Sequence, residues 1–340
     1  MPQLPGIPGT IEELYADIER GRVYRLADAY FKFLFGKPER ADIFLDLINS
    51  IVFPERDRAF TKVEFADREI SPARINGKGS RLDIVGTLDN GGLVNLEVQV
   101  SNDGDFIKRA VYYWSLIHGG QLDSGEGYAG INRTICINIL GFHLLKKEKA
   151  FRNSYSIRND ESNAPLNDDL TIYFIELPKY LAAMEAGRKP INSLEKWLCY
   201  LAGLEGREMS SIAQTESKIE KAMKLEELFL HNKQERLAYI MEWKAMMDKK
   251  NREYNLEKNA VARGMAKGMA KGMAEGMEKG MEKGIAEGME KGIAEGMEKG
   301  MVEGVEKVAK NMLMRGMPDG TIADTTGLSL ARIKELKREA

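Results

Sequence analysis

Residues 81–100, RLDIVGTLDNGGLVNLEVQV, alternate apolar and other residues on both sides of a turn signal. Such alternation predicts two β-strands, and the turn residues at 89–91 join them into a hairpin. Successive side chains point to opposite faces of a strand, so the apolar faces coincide only if paired residue numbers sum to an even number. A three-residue loop, with Gly91 in the left-handed conformation, meets this condition. The register then places Ile84 opposite Leu96.

This register gathers polar side chains on one face. Asp83 lies opposite Glu97, and Gln99 follows two residues later. Directly opposed residues have Cβ atoms about 4.5–5.5 Å apart. Two carboxylates at that separation repel each other unless a cation lies between them or one is protonated. Magnesium suits such a pair, because it takes oxygen ligands and retains water molecules.

A simpler alternative is that Asp83, Asn95, Glu97 and Gln99 form the solvated face of an edge hairpin. Apolar segments flank both strands, which favours a central position in the sheet. The next predicted helix, residues 105–122, would cover one face of the hairpin. It supplies further polar side chains suited to phosphate contact, namely Lys108, Arg109, Tyr112 and Tyr113. These features favour a functional site.

The rest of the first 200 residues predicts a mixed α/β or α+β domain that ends near residue 180. The expected order is helix, three strands, helix, strand, loop and strand. Helical spacing occurs at 25–36 and 39–53 and strand patterns at 62–70, 133–140 and 170–177, with loops at 71–80 and 159–169. A helix at 191–203 is expected to pack back on the core, and a polar helical run follows from 208 to about 258.

Composition narrows the class of protein. The formal net charge of the 340 residues is -2, so any nucleic-acid surface must be local. The two cysteines are far apart in apolar contexts, which indicates buried thiols and a reducing compartment. The start of the chain lacks the features of a signal peptide, and no apolar run approaches the ~20 residues of a membrane span. A cytoplasmic protein without a membrane partner is expected. The three histidines lack metal-ligand spacing, which argues against zinc.

Residues 263–305 form an internal repeat in which glycine recurs at every fourth position from Gly264 to Gly304. On an α-helix, a four-residue step drifts by about 40° per repeat, so the glycines spiral around the axis. Each glycine destabilises a helix by ~1 kcal/mol relative to alanine. The segment therefore fits a frayed helix, a helix that associates with copies of itself, or a coil. A simple low-complexity tether is equally compatible.

Residues 306–340 predict a small helical unit. A turn containing Gly327 separates two short helices, which is typical of a helix-turn-helix, and Ser329 is placed to cap the last helix. Basic side chains on that helix suit phosphate contact: Arg332, Lys334, Lys337 and Arg338. A small helical cap or a dimerisation module explains the same pattern.

Taken together, the motifs resemble the PD-(D/E)XK nuclease superfamily. More narrowly they resemble the Rpn family of recombination-promoting nucleases, often described as transposases. The similarity covers about residues 24–201, and the glycine tail is also similar to tails in this family. The matching stretches are 28–35 (DAYFKFLF), 81–84 (RLDI), 95–99 (NLEVQ), 108–114 (KRAVYYW) and 176–179 (ELPK).

The resemblance implies that Asp83 and Glu97 bind Mg²⁺ and that Gln99 stands where many of these nucleases have lysine. Glutamine can orient groups by hydrogen bonds but carries no charge. The early acidic position of the family falls at Asp28, near Lys32. The implied catalytic set is Asp28, Asp83, Glu97 and Gln99, with DNA contacts expected from Lys32, Lys108, Arg109 and Tyr112.

We therefore expect an α/β fold with a PD-(D/E)XK restriction-endonuclease-like core, followed by an all-helical C-terminal arm. The expected segments are a leader (1–22), a nuclease-like domain (23–205), a helical linker (206–262), the glycine-tetrad repeat (263–305) and a helix-turn-helix-like module (306–340).

The expected function is a magnesium-dependent DNA endonuclease in recombination, mobile-element or phage-defence biology. Its arm would mediate homo-oligomerisation or regulation. The alternative is a catalytically silent DNA-binding or scaffold protein that acts through the repeat and the terminal module. A true transposase is a weaker candidate, because the sequence offers no separate acidic triad for strand joining.

Overall fold

The structure is a computed structural model that describes residues 8–55, 57–65, 83–102, 104–122 and 125–339. The predicted loop at 71–80 lies outside these ranges, as do residues 66–70 of the predicted strand at 62–70 and residues 81–82 of the predicted hairpin. The chain divides into two compact units, Met1–Asn251 and Arg252–Ala340. Nowhere in the described ranges is a helix both long and apolar enough to cross a bilayer.

Within the described residues of the first unit, six strands form one sheet in the order β1-β2-β3-β4-β6-β5. Strands β1, β2 and β3 form an antiparallel meander, β4 and β6 run parallel to β3, and β5 is antiparallel to β6. The strands are β1 Val63–Phe65, β2 Ile84–Leu88, β3 Leu93–Gln99, β4 Thr134–Leu140, β5 Arg152–Tyr155 and β6 Leu170–Glu176.

The hairpin has the register that the apolar alternation predicts. Ile84 pairs with Leu96, and Gly86 pairs with Val94. The backbone N–H of Leu88 donates to the carbonyl of Gly92 at 2.8 Å, which closes a three-residue loop. Gly91 has φ of 79°, the left-handed conformation that this loop requires. The predicted pairing and loop are therefore confirmed.

Helices occupy both faces of the sheet. Their bounds are α1 Ile11–Glu19, α2 Asp28–Phe35, α3 Ala41–Val52, α4 Phe106–Gly119, α5 Leu177–Glu185, α6 Ser193–Leu201, α7 Arg207–Thr215, α8 Ser217–His231 and α9 Lys233–Met314. Helix α4 connects the parallel strands β3 and β4, as a parallel pair requires a crossover connection. It packs on one face with a cluster that includes Val85, Cys136 and Phe174. The larger core on the other face includes Leu96 and side chains of α1, α2, α3, α6 and α8. Both central hairpin strands are thus buried on two sides.

The first unit extends beyond the segments expected from sequence. Leu14 of α1 is fully buried in the main core, so much of the expected leader is packed structure. Ile219 and Phe229 of α8, with Tyr239 and Trp243 of α9, join the same core. The first part of the expected linker 206–262 therefore belongs to this unit. Single apolar side chains spaced one turn apart on polar helices suffice for this packing, and they give only a weak sequence signal.

In the second unit, the end of α9 packs with α10 Asp319–Thr326 and α11 Leu330–Glu339 around a small core. Buried side chains of this core are Ala309, Ile322, Ile333 and Leu336. Gly316 and Gly327 make the turns with φ of 75° and 71°. The Ser329 hydroxyl accepts from the Arg332 N–H at 3.3 Å, as the predicted cap requires.

The glycine tetrads are helical throughout and belong to α9. The apolar residues that follow the glycines, from Met265 to Met301, are 55–80% exposed. A methyl group added at any of these eleven glycines would meet no atom of the described chain within 4 Å, apart from the helix's own nearby backbone. Among the described residues of the second unit, therefore, no side chain covers the glycines or the methionines.

Gly91→Ala tests the hairpin turn. Alanine in the left-handed conformation is expected to lower the free energy of unfolding by about 1–2 kcal/mol. The matched control is Gly127→Ala, because Gly127 has φ of -80° and open space around its Cβ position. Urea unfolding curves measure both variants, and equal stability of the two would contradict the assigned turn.

Candidate active site

Two opposed carboxylates lie at one end of the hairpin. Asp83 immediately precedes β2, and Glu97 lies in β3 with 8% of its surface exposed. The backbone N–H of Asp83 donates to Glu97 Oε1 at 3.3 Å, and the N–H of Val98 donates to Asp83 Oδ2 at 3.1 Å. Asn95 Nδ2 also donates to Glu97 Oε1, at 3.2 Å. The hairpin backbone therefore fixes both carboxylates, at the positions that the register predicts.

The environment of this pair favours a proton or a cation. Burial, together with the charge of Asp83, raises the pKa of Glu97 to about 8. Burial also raises the pKa of Asp83, although the nearby ammonium of Lys32 acts in the opposite direction. Because charged carboxylates are poorly solvated there and repel each other, the pair gains stability when positive charge enters the site.

Helix α2 brings Lys32 and Asp28 to this pair. Lys32 Nζ lies 2.6 Å from Asp28 Oδ1 and 3.1 Å from Asp83 Oδ1. Burial alone would lower the pKa of Lys32, but the carboxylates of Asp83 and Asp28 produce a net increase. Lys32 is thus a cation held between two acidic side chains. Asp28 reaches the acidic pair through this lysine.

Gln99 and Arg109 form the other side of the site. Arg109 Nη2 donates to Gln99 Oε1 at 2.8 Å, and the guanidinium lies 4.7 Å from the centre of the Phe106 ring. Tyr113 follows Arg109 by one helical turn and lines the same cavity. Gln99 therefore holds an arginine from α4, and this arginine supplies positive charge beside the neutral glutamine.

Two expected DNA-contact residues point elsewhere. The Lys108 side chain is 83% exposed and pairs with Asp105 Oδ1 at 3.1 Å. Tyr112 is 39% exposed. Neither side chain lines the cavity that contains the acidic pair. Residues four apart share one face of a helix, whereas adjacent residues point in different directions. Of the residues in KRAVYY, therefore, only Arg109 and Tyr113 line the cavity.

The acidic pair, Asp83 and Glu97, lines a cavity of about 260 Å³. Its lining side chains include Asp28, Asp83, Glu97, Gln99, Arg109, Tyr113 and Glu242. Glu242 comes from α9 and was not expected from sequence, since nothing distinguishes it from the other glutamates of that polar helix. Burial raises the pKa of Glu242 to about 7, against the opposing effect of two backbone N–H donors.

The acidic pair fits the protein's share of a magnesium site. Among the residues with described positions, no group of three His, Cys, Asp or Glu side chains is arranged to hold a metal. Magnesium is often bound by only one or two protein carboxylates, and its remaining positions are taken by water and substrate phosphate. Asp83 and Glu97 supply this kind of all-oxygen donor set, and a divalent cation would relieve their repulsion.

The raised pKa of Glu97 predicts that metal-free protein becomes less stable as pH rises. Its folded-state pKa of about 8 exceeds the ordinary value of 4.5, so the folded state binds the proton more tightly. This contribution to stability is complete below pH 4.5 and is lost as pH rises through 8. Glu97→Gln, which is neutral at every pH, should show a smaller loss between these limits.

Urea unfolding in the presence of a chelator measures this dependence. Glu64→Gln is the control, because Glu64 is an exposed residue of β1 with a side chain that is 70% accessible. An identical pH dependence in wild type and Glu97→Gln would contradict the assigned environment of Glu97.

Comparison with known proteins places the chain in a family. A family model described as PD-(D/E)XK nuclease family transposase matches residues 25–254. Comparison with curated proteins gave no match, and neither did comparison with solved structures. The matched region reaches past the predicted limit near residue 201 and includes every residue that lines the cavity. Because it covers more than half of the 340 residues, the chain belongs to the PD-(D/E)XK nuclease family transposases.

Proposed function

We propose that this protein is a magnesium-dependent DNA endonuclease whose metal ligands are Asp83 and Glu97. The single observation that carries the proposal is the buried, opposed carboxylate pair in a cavity flanked by Lys32 and Arg109. Membership of a nuclease family supports hydrolysis of phosphodiester bonds as the reaction. DNA as the substrate, rather than RNA, is part of the proposal.

Hydrolysis adds water across one P–O bond: the water oxygen bonds to phosphorus, the bond to the leaving oxygen breaks, and that oxygen receives a proton. When bound, Mg²⁺ supplies polarisation of the phosphate and a lowered pKa for bound water. The chain supplies two cations around the metal ligands. Lys32 approaches from the Asp83 side and Arg109 from the Gln99 side, where both can attract the phosphate.

The other expected catalytic residues take indirect roles in this proposal. Gln99 orients Arg109 through its carbonyl oxygen, and so contributes to phosphate binding through a charged neighbour. Asp28 pairs with Lys32 at 2.6 Å and directs its ammonium group toward Asp83. Lys108 and Tyr112, which are exposed on α4, are proposed to contact the DNA backbone outside the cavity. Recombination, mobile-element or phage-defence biology remains the proposed setting.

We also propose that the glycine tetrads associate with copies of the same chain. Eleven glycines would weaken an isolated helix, whereas small residues four apart let two helix backbones approach closely. The exposed methionines nearest the contact would then be buried. Ridges formed by residues four apart pack into one another at a crossing angle near -50°. This association is the proposed role of the C-terminal arm.

The rival function, DNA binding by the terminal module alone, receives less support. Arg332 Nε pairs with Glu306 Oε1 at 2.8 Å, and Lys337 Nζ pairs with Asp319 Oδ1 at 2.7 Å. Two of the four basic side chains on α11 are therefore engaged in ion pairs within the module. These pairs favour a small helical cap over a surface that reads DNA.

Removal of either metal ligand tests the nuclease proposal. Asp83→Asn and Glu97→Gln should each reduce plasmid cleavage with Mg²⁺ by more than the about 10–100-fold typical of losing an outer-shell partner. Both should also weaken Mg²⁺ binding in isothermal titration calorimetry. The control is Glu64→Gln, which removes an exposed carboxylate from β1. Undiminished cleavage by both site variants would refute the assignment.

The arm proposal predicts opposite effects of alanine on helicity and on association. Changing Gly276, Gly284 and Gly292 to alanine should raise helix content, since each substitution favours the helix by ~1 kcal/mol. The same change should lower the number of chains per particle in light scattering, because the added methyl groups separate the backbones. Control substitutions Ala274→Glu and Ala286→Glu place glutamate where other tetrads already have it. An unchanged particle mass in the glycine variant would argue against this interface.

A further inference from the structure

Helix α2 carries two residues of the site but begins without a cap of its own. Its N-cap residue is Ala27, which has no side-chain acceptor. The first backbone N–H groups of a helix have no partner within the helix and need one elsewhere. Glu242 of α9 supplies it: Oε1 accepts from the Asp28 N–H at 2.7 Å, and Oε2 accepts from the Ala29 N–H at 2.8 Å.

The turn of α9 that bears Glu242 is anchored in the core. Tyr239 and Trp243, on either side of it, are 2% and 1% exposed. The hydroxyl of Tyr239 accepts from the Tyr24 N–H at 2.9 Å, and the Tyr24 and Trp243 rings meet edge to face at 5.5 Å. Glu242 is therefore presented to α2 from a fixed position.

The capped end of α2 is also the end that faces the acidic pair. Asp28 is the first residue of the helix, and Lys32 lies one turn later with its ammonium 3.1 Å from Asp83 Oδ1. A carboxylate at a helix N-terminus both accepts the unpaired N–H groups and interacts favourably with the helix dipole. If the first turn of α2 loosened, Asp28 and Lys32 would shift together.

We propose that Glu242 is a positioning residue of the nuclease site: its carboxylate caps α2 and thereby holds Lys32, together with its partner Asp28, against Asp83. This inference deepens the proposed function and rests on it for the effect on cleavage. Through this cap, α9 supports the acidic pair, although Glu242 lies more than 140 residues after Glu97 in the sequence.

Glu242→Gln tests the proposal with little change in size. A glutamine carbonyl can accept one of the two N–H groups, while its amide nitrogen meets the other as a second donor. The variant should show faster hydrogen exchange at the Asp28 and Ala29 amides. Its kcat should fall by about 10–100-fold, as outer-shell changes typically do, with little change in KM for DNA.

Rescue distinguishes positioning from a general loss of stability. Ala27→Ser introduces a side-chain acceptor at the N-cap of α2, where the backbone already has extended geometry with φ of -64° and ψ of 134°. The double variant Ala27→Ser/Glu242→Gln should regain protection at the Ala29 amide, the second position of the helix, and most of the lost kcat. The matched control is Glu235→Gln, which removes another α9 carboxylate, one that pairs with Lys37 at 2.8 Å just beyond α2. Cleavage by Glu235→Gln should equal that of wild type.

In the exchange and cleavage experiments, two results would overturn the positioning role: loss of amide protection in Glu242→Gln with unchanged kcat, or lost kcat that Ala27→Ser does not restore. If the wild-type protein cleaves no DNA with any divalent ion, the proposed function fails independently. Crystal structures of Glu242→Gln and the double variant then decide the positioning role. The Lys32–Asp83 contact should be lost in the first and restored in the second, and its persistence in Glu242→Gln would overturn the proposal.

Discussion

The repulsion between the carboxylates of Asp83 and Glu97 is the constraint on which the site depends. The hairpin register places them opposite each other, and cover on both faces of the sheet removes the water that would weaken their interaction. In such an environment, charged carboxylates are unfavourable unless hydrogen bonds or positive charge compensate them. Two backbone N–H groups and the Asn95 amide give part of this compensation, and a divalent cation would complete it.

The positive charge around the pair comes from two helices. On β3, the residue two positions after Glu97 is Gln99, which carries no charge. Arg109 of α4 supplies a guanidinium against the Gln99 carbonyl, and Lys32 of α2 supplies an ammonium against Asp83. The positive charge near the carboxylates thus comes from α2 and α4, not from β3. Glu242, through its hydrogen bonds to α2, extends this network into the helices that follow the sheet.

The parts of the site that could be predicted from the sequence are those whose geometry follows from a short-range rule. The alternation of apolar residues and the Gly91 turn were enough to predict the hairpin register, because a slip by one residue would expose the apolar face. The apolar run of β4 likewise identified a buried strand. The alternation and the turn also predicted that Asp83, Glu97 and Gln99 share one face of the hairpin, whereas their proposed catalytic roles rest on the family resemblance as well.

Features that depend on tertiary packing could not be predicted from the sequence. The edge strand β5 has the sequence RNSY, which carries no alternation of apolar residues. The polar sequence at 206–262 predicted a helical linker. In the structure, a few of its side chains, such as Ile219 and Trp243, pack in the main core. Glu242 has no sequence signature at all. Its role depends on which helix its carboxylate reaches.

A crystal structure with Mn²⁺ in place of Mg²⁺ tests the central claim most directly, because anomalous scattering locates the ion without assumptions about its ligands. A peak bound by Asp83 and Glu97 within the cavity is the expected result. A protein that binds no ion at this pair while both carboxylates remain opposed, or that binds it elsewhere, would contradict the assignment of these residues as the metal ligands of a nuclease.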